Sequence, residues 1–228
     1  MRVFFSPKHK SHSPKTFISK GKILESPEQP KRADILEKAA RLAGHNFIEA
    51  KQCGLNPIKN IHDSGYIEFL KTAWSIWKNT PDSGAEIIPN VHPGRNMNAS
   101  PTSIISLAGH YQADTACPIG EGTYEGIIAS SDVAVSGAYA IMTDIKNGSS
   151  KSFAYSLCRP PGHHAFADQA GGFCFFNNAA IAAQVCLDNG AKRVAILDVD
   201  VHHGNGTQGI FYHRSDVFTI SLHGDPLF

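Results

Sequence analysis

Residues 193–206, R-V-A-I-L-D-V-D-V-H-H-G-N-G, constrain the fold of this chain more than any other stretch. The apolar run 194–197 has the character of a strand buried on both faces of a parallel sheet. At its end Asp198, Asp200 and His202 alternate with Val199 and Val201, so continued extended geometry predicts these polar side chains on one face. Gly204 and Gly206 then let the chain turn away. Carboxylates and an imidazole at a buried strand end are costly unless their charge is compensated, and a divalent cation does that. Asp200 and His202 suit zinc. A lone Asp-His pair would read more readily as a polar cap on the next helix, but the whole run fits a metal better.

A second polar cluster precedes it at residues 158–178, C-R-P-P-G-H-H-A-F-A-D-Q-A-G-G-F-C-F-F-N-N. Pro160, Pro161 and Gly162 stiffen a loop just before His163 and His164. A His pair in a loop is usually solvated. Beside a metal strand it acquires a use, because hydrolysis needs one group to take a proton from metal-activated water and one to donate to the leaving nitrogen.

Strand and helix signals alternate along the chain. A strand is predicted at 3–5, a helix at 33–43 closed by Gly44, and a helix capped by Asp63 with Ile67, Leu70, Trp74 and Trp77 on its core stripe. Residues 79–101 dissolve into Pro, Gly, Asn and Ser. A long helix at 123–143 carries Ile128, Val135, Ala138 and Met142, and a strand at 153–157 delivers the histidine loop. An alanine-rich helix at 177–189 stops at Gly190, and after the metal strand come a short helix around Gln208 and a strand at 217–222. This order predicts one α/β domain over 1–228, an open parallel sheet with helices on both faces and ligands bound beyond its carboxyl strand ends.

A formal net charge of +1 argues against a general nucleic-acid binder. The N-terminus does not read as a signal peptide and no apolar run approaches membrane-span length, so a cytoplasmic protein without a membrane partner is expected. The five cysteines lack CxxC spacing and are expected to be free thiols. Cys158 and Cys174 flank the histidine loop, but with a metal to activate water neither is needed as nucleophile.

RPPGHH, GGFCFFNNAA and ILDVDVHHGNGTQ, in this order, resemble the zinc-dependent histone deacetylase superfamily. MRVFFSPKH, HDSGYIEFLKTAW and EGTYEG more closely resemble its acetylpolyamine amidohydrolase branch. The resemblance implies an arginase/deacetylase-like fold with zinc on Asp200 and His202. It pairs His163 with Asp198, and His164 with Asn205 where other branches place a second Asp. A carboxylate partner favours a cationic His163 that stabilises an oxyanion, and a neutral amide leaves His164 the better general base.

The resemblance also implies that Gly172 and Phe173 line a narrow tunnel for an acetylated alkylamine, with Phe175 and Phe176 in the core. Backbone carbonyls of Asp198, Asp200 and His202, with Ser221 and Leu222, match a potassium site. The 79–101 segment would help build a homodimer and narrow the entrance, with His92 and Arg95 toward substrate. A cationic substrate calls for acids at the rim, and Asp114, Glu121 and Glu125 are the candidates; the branch's own glutamate aligns nearest Ala116.

In the family a second Asp ligand and an oxyanion-binding Tyr follow the SLH strand, whereas this sequence stops at Phe228. The expectation is a chain lacking the C-terminal part of the family fold, with an exposed apolar sheet edge. Asp225 is the one nearby substitute ligand, although its HGDP turn matches the family's own loop. Three readings compete: a zinc-dependent deacylase of acetylpolyamines, the same chemistry on protein acetyl-lysine, and a non-catalytic fragment that keeps the fold. An arginase-like binuclear site would need an Asp where Gly204 stands.

Overall fold

The computed structural model describes residues 1–94, 97 and 99–225. The chain opens with β1 (Arg2–Phe5), a 3-10 turn (Pro7–Ser11) and the hairpin strands β2 (Thr16–Ser19) and β3 (Lys22–Glu25). There follow α1 (Lys31–Leu42), β4 (Asn46–Glu49), α2 (Asn56–Lys59), α3 (Ser64–Trp77), α4 (Ile104–Tyr111) and α5 (Thr123–Lys146). The second half holds β5 (Ala154–Ser156), α6 (Asn178–Asp188), β6 (Val194–Asp198), α7 (Asn205–Phe211) and β7 (Val217–Ser221). Strand β1 lies between β4 and β5 and is parallel to both, with Val3 opposite Phe47 and Tyr155. Strands β6 and β7 form a second parallel pair, with Val194 opposite Val217, and only the β2–β3 hairpin is antiparallel among the described strands. The architecture is α/β with parallel sheet pairing, as the alternation of strand and helix signals predicts.

The helices form where capping and stripe agree. Asp63 accepts hydrogen bonds from the amides of Gly65 and Tyr66 at 2.7 and 3.3 Å, which starts α3. Ile67 and Leu70 of α3 are buried, and Trp74 and Trp77 pack half-buried against the same core. Tyr66 is fully buried, and its hydroxyl donates to the Phe175 carbonyl at 2.7 Å, which satisfies the one polar atom it brings inside. Helix α5 is long and apolar enough to cross a membrane by length and composition, so the expectation that no such run exists is corrected. That apolarity is spent on packing, since α5 lies against β1, β5 and α6 with Ile127, Val135, Ala138 and Met142 buried.

Strand β6 departs from expectation. It is not buried on both faces: Val194 and Ile196 pack against the core, while Ala195 and Leu197 are exposed. Leu197 is 58% exposed and Phe218 of β7 68% exposed, because α6 covers one side of this ribbon and nothing among the described residues covers the other. An apolar run alone cannot distinguish a strand covered twice from one covered once.

Buried polar groups tie the N-terminal arm to the histidine loop. Arg159 donates to the carbonyls of His9, His12 and Glu28 at 2.8, 2.9 and 3.1 Å and forms an ion pair of 2.6 Å with the Glu28 carboxylate. His12 stays neutral because burial, and secondarily Arg159, push its pKa down to about 3. His62 accepts from the Asn177 amide at 2.9 Å and lies 3.2 Å from the Ala167 carbonyl, and burial lowers its pKa to about 4.

These histidines set a pH dependence. Their folded-state pKa values lie below the ordinary 6.5, so below that pH the unfolded chain binds protons the folded chain refuses. Stability is expected to be complete above pH 6.5 and to fall as pH drops from 6.5 through about 4 for His62 and about 3 for His12. Urea midpoints at pH 7.5, 5.5 and 4.5 check this; a midpoint that does not fall between 7.5 and 5.5 contradicts it.

Candidate active site

The histidine loop leaves β5 at Cys158 and is held from several sides. The Pro160 carbonyl accepts from Ser130 Oγ of α5 at 3.0 Å and from Asn178 Nδ2 of α6 at 3.1 Å. The His163 carbonyl accepts from the Thr207 amide of α7 at 3.1 Å. Asn177 caps α6 through the Ala180 amide at 3.0 Å and donates to the Ala165 carbonyl and Thr207 Oγ1 at 3.1 and 3.0 Å. One buried Asn thus starts a helix and fixes the loop beside it.

His163 Nδ1 lies 2.8 Å from Asp198 Oδ2, and His164 Nδ1 lies 2.7 Å from Asn205 Oδ1, with the two rings 4.0 Å apart. The Gly206 amide also donates to Asn205 Oδ1 at 3.0 Å, which assigns the amide orientation. An amide oxygen only accepts, so His164 carries its proton on Nδ1 and keeps the Nε2 lone pair. Burial is the main cause that lowers the His164 pKa; the hydrogen bond to Asn205 opposes it, and His163 and His202 reinforce it. His164 is therefore a neutral imidazole near pH 7 with a free acceptor nitrogen.

Extended geometry does not persist beyond Asp198, which corrects the expectation of three side chains on one strand face. Asp198 Oδ1 accepts the Asp200 amide at 3.1 Å, and Asp200 Oδ1 accepts the His202 amide at 2.7 Å. Each carboxylate captures the amide two residues on and curls the chain. This curl brings Asp200 Oδ1 to 3.0 Å from His202 Nδ1 and 3.9 Å from His163 Nε2. Burial works against ionisation of Asp200, but the amide and ring of His202 and the charge of His163 hold its carboxyl below the usual range. Gly204 is required here, since a Cβ would sit 2.3 Å from Asp198 Oδ2.

Gly172 and Phe173 form the tip of a turn closed by two hydrogen bonds between Gly171 and Cys174, at 3.1 and 2.8 Å. Their φ angles are +51° and +70°, the pattern of a type I′ turn with a Phe in the left-handed region. A Cβ on Gly172 would meet the His164 ring at 2.2 Å. Asp114 holds this turn: Oδ2 accepts the Gly172 amide at 2.8 Å and Oδ1 the Ala116 amide at 2.7 Å. Each Asp114 oxygen thus accepts a backbone amide, and Asp114 is not among the residues that line the cavity beside this turn.

A cavity of about 980 Å³ is lined by His163, His164, Asp200, His202, Gly172 and Phe173, together with Phe17, Ala116 and Glu28. Glu121, Glu125 and the exposed His92 do not line it, and Glu125 instead accepts from Ser11 Oγ at 2.9 Å. Arg95 lies outside the described residues. Phe175 and Phe176 are core side chains. Cys174 is a buried thiol and Cys158 a half-buried one; desolvation pushes the Cys158 thiol up to about 12 and that of Cys174 higher still, which removes them as nucleophiles. All five cysteines are free.

Asp200 and His202 present a carboxylate oxygen and an imidazole nitrogen within 3.0 Å, a donor set that fits part of a zinc shell. Among the described residues no group of three or more His, Cys, Asp or Glu could hold a metal, so Asp225 does not complete the set. At the expected potassium position the Asp198 carbonyl accepts the Leu222 amide at 2.9 Å, and Ser221 Oγ accepts the Gly204 amide at 3.2 Å and lies 2.8 Å from His223 Nδ1. Sequence reasoning missed Phe17, Asn177 and His62. Asn177 was legible as a helix cap, but no local signal marked the other two.

The profile of the histone deacetylase domain matches residues 26–228. Acetylpolyamine amidohydrolase 2 of Pseudomonas aeruginosa is 44% identical over 100% of this chain and 65% of its own length. Acetylpolyamine amidohydrolase of Mycoplana ramosa is 45% identical over 99% of this chain and 65% of its own. The crystal structure of the acetylpolyamine aminohydrolase of Burkholderia pseudomallei superposes with a TM-score of 0.91 at 43% identity, over 99% of this chain and 64% of that one. The chain thus spans about 65% of the length of the curated relatives it matches.

The contrast between the two dyads is testable in the folded protein. Asn205→Asp places a carboxylate on His164 Nδ1, and the His164 pKa is expected to rise. Histidine ring-proton titration by NMR reads this directly; an unmoved or lowered midpoint contradicts the assigned pairing.

Proposed function

The chain belongs to the histone deacetylase family, and on that premise we propose that it is a zinc-dependent amide hydrolase that removes acetyl groups from acetylated polyamines or similar small alkylamines. The observation that carries this reading is the pair of histidine dyads on one cavity wall beside Asp200 and His202. Likeness along the whole chain to proteins named for acetylpolyamine hydrolysis favours a small amine over acetyl-lysine in a protein. Dyads with both partners in place favour an active site over a fold kept without its reaction.

Asp200 and His202 would be two of the ligands of a zinc ion, which when bound supplies a Lewis acid that polarises the acetyl carbonyl and acidifies a water molecule. His164 takes the proton of the attacking water on Nε2, the nitrogen that Asn205 leaves free. It returns that proton to the amine nitrogen as the C–N bond breaks, and the hydroxyl proton of the acetic acid formed passes to the released amine, so acetate and the ammonium form result. His163, held by Asp198, faces the carbonyl oxygen and stabilises the negative charge that develops there. Phe173 strips water from the substrate's methylene chain. A structural potassium among the oxygens of Asp198, Ser221 and Leu222, a homodimer and a cytoplasmic setting belong to the same proposal; free cysteines support the last.

In the zinc-loaded protein His164→Ala is expected to lose about 10²- to 10⁴-fold in turnover with zinc retained. His163→Ala is expected to be impaired but to keep the base. Asp200→Ala and His202→Ala are expected to lose zinc by elemental analysis, and undiminished zinc in both removes the ligand assignment. Acetylputrescine should be hydrolysed in preference to an acetylated histone peptide, and equal rates would replace the polyamine reading with the protein-deacetylase one.

A further inference from the structure

An acetylated polyamine carries positive charge beyond the scissile amide, yet the carboxylates expected to meet it are occupied or elsewhere. Asp114 is taken up by two backbone amides, and Glu121 and Glu125 lie outside the cavity. The carboxylates that line the cavity, Glu28, Asp198 and Asp200, face Arg159, His163 and His202 respectively. Beside Gly172 the cavity instead presents two aromatic rings. Phe17 and Phe173 have centroids 5.5 Å apart and planes inclined at 38°.

Both rings stand on built supports. Phe17 belongs to the β2–β3 hairpin, whose base is clamped by the buried Glu86 carboxylate: Oε1 accepts the Lys15 amide at 2.8 Å and Oε2 the Thr16 amide at 2.9 Å. The Ser26 amide donates to the Lys15 carbonyl at 3.0 Å and closes the ribbon. Phe173 is displayed by the left-handed turn that Asp114 holds. A half-buried Phe on a hairpin with otherwise exposed apolar side chains, such as Ile23 and Leu24, is set apart from them by facing the cavity.

We propose that Phe17 is a specificity-determining residue of the substrate entrance: with Phe173 it forms an aromatic wall for the methylene chain and ammonium end of a linear acetylated diamine. The inference rests on the hydrolase reading above. Ring faces are negative and attract an ammonium while also packing its methylenes. Selectivity for a cationic amide therefore needs no free carboxylate at this wall.

The test compares N-acetylputrescine with N-butylacetamide, which has the same chain without the charge, in the zinc-loaded protein, by calorimetric affinity and by KM. The parent is expected to favour the charged ligand. Phe17→Leu, which keeps apolar bulk and loses the ring, should cut that preference about 2- to 5-fold, with the change in KM and not in kcat. Phe17→Trp should keep or raise it, which separates lost recognition from a disturbed hairpin. An unchanged ratio in Phe17→Leu overturns the assignment and leaves the hydrolase reading standing. A parent that neither binds nor hydrolyses either amide sinks the hydrolase reading and this inference with it.

Discussion

The Asp198 carboxylate is the junction on which the site depends. One oxygen faces His163 Nδ1 at 2.8 Å, the other accepts the Asp200 amide at 3.1 Å, and the residue's own carbonyl accepts the Leu222 amide at 2.9 Å. A single residue thus ends β6, ties it to the end of β7, starts the curl that aims Asp200 and His202, and holds one of the two histidines. Hydrogen bonds to a charged group contribute about 1.5–3 kcal/mol each, so this residue is more than a polar strand end. Gly204 completes the arrangement by leaving space that a side chain would fill.

Around that junction the protein spends buried polar groups on position. Arg159 and Glu28, with side chains 3% and 5% exposed, form an ion pair whose desolvation offsets much of its attraction, so it contributes more to geometry than to stability. Its two Nη atoms also reach carbonyls of the N-terminal arm, and it begins the loop that carries His163 and His164. Asn177 and His62 do the same from the other side. The neutral state of His62 follows from this use: its Nε2 must accept the Asn177 amide, which a protonated ring could not do.

The Gly171–Cys174 turn shows how a strained backbone serves a side chain. A Phe in the left-handed region costs on the order of 1–3 kcal/mol, and the turn hydrogen bonds with the Asp114 clamp hold it there. The outcome is a ring presented to the cavity and a glycine edge against His164. Asp114 is thereby a positioning residue in a place where charge alone suggested a substrate contact.

The strand at 194–198, the histidine loop, the cap of α3 and the strand–helix order of the second half were legible from the sequence, because each rests on residues adjacent in the chain. Residue types at fixed short spacing carry their chemistry with them: Asp200 next to His202, His163 next to His164, Asp63 before an apolar stripe. Local sequence says nothing of what approaches from afar. The open face of β6 depends on what packs above it, the engagement of Asp114 on backbone amides competing for its oxygens, and the pairing of Phe17 with Phe173 on a hairpin folded back across the chain. By itself the sequence determined which groups could do chemistry; only the tertiary structure decided which of them remain free to do it, since burial and competition for hydrogen-bond partners act through space and not along the chain.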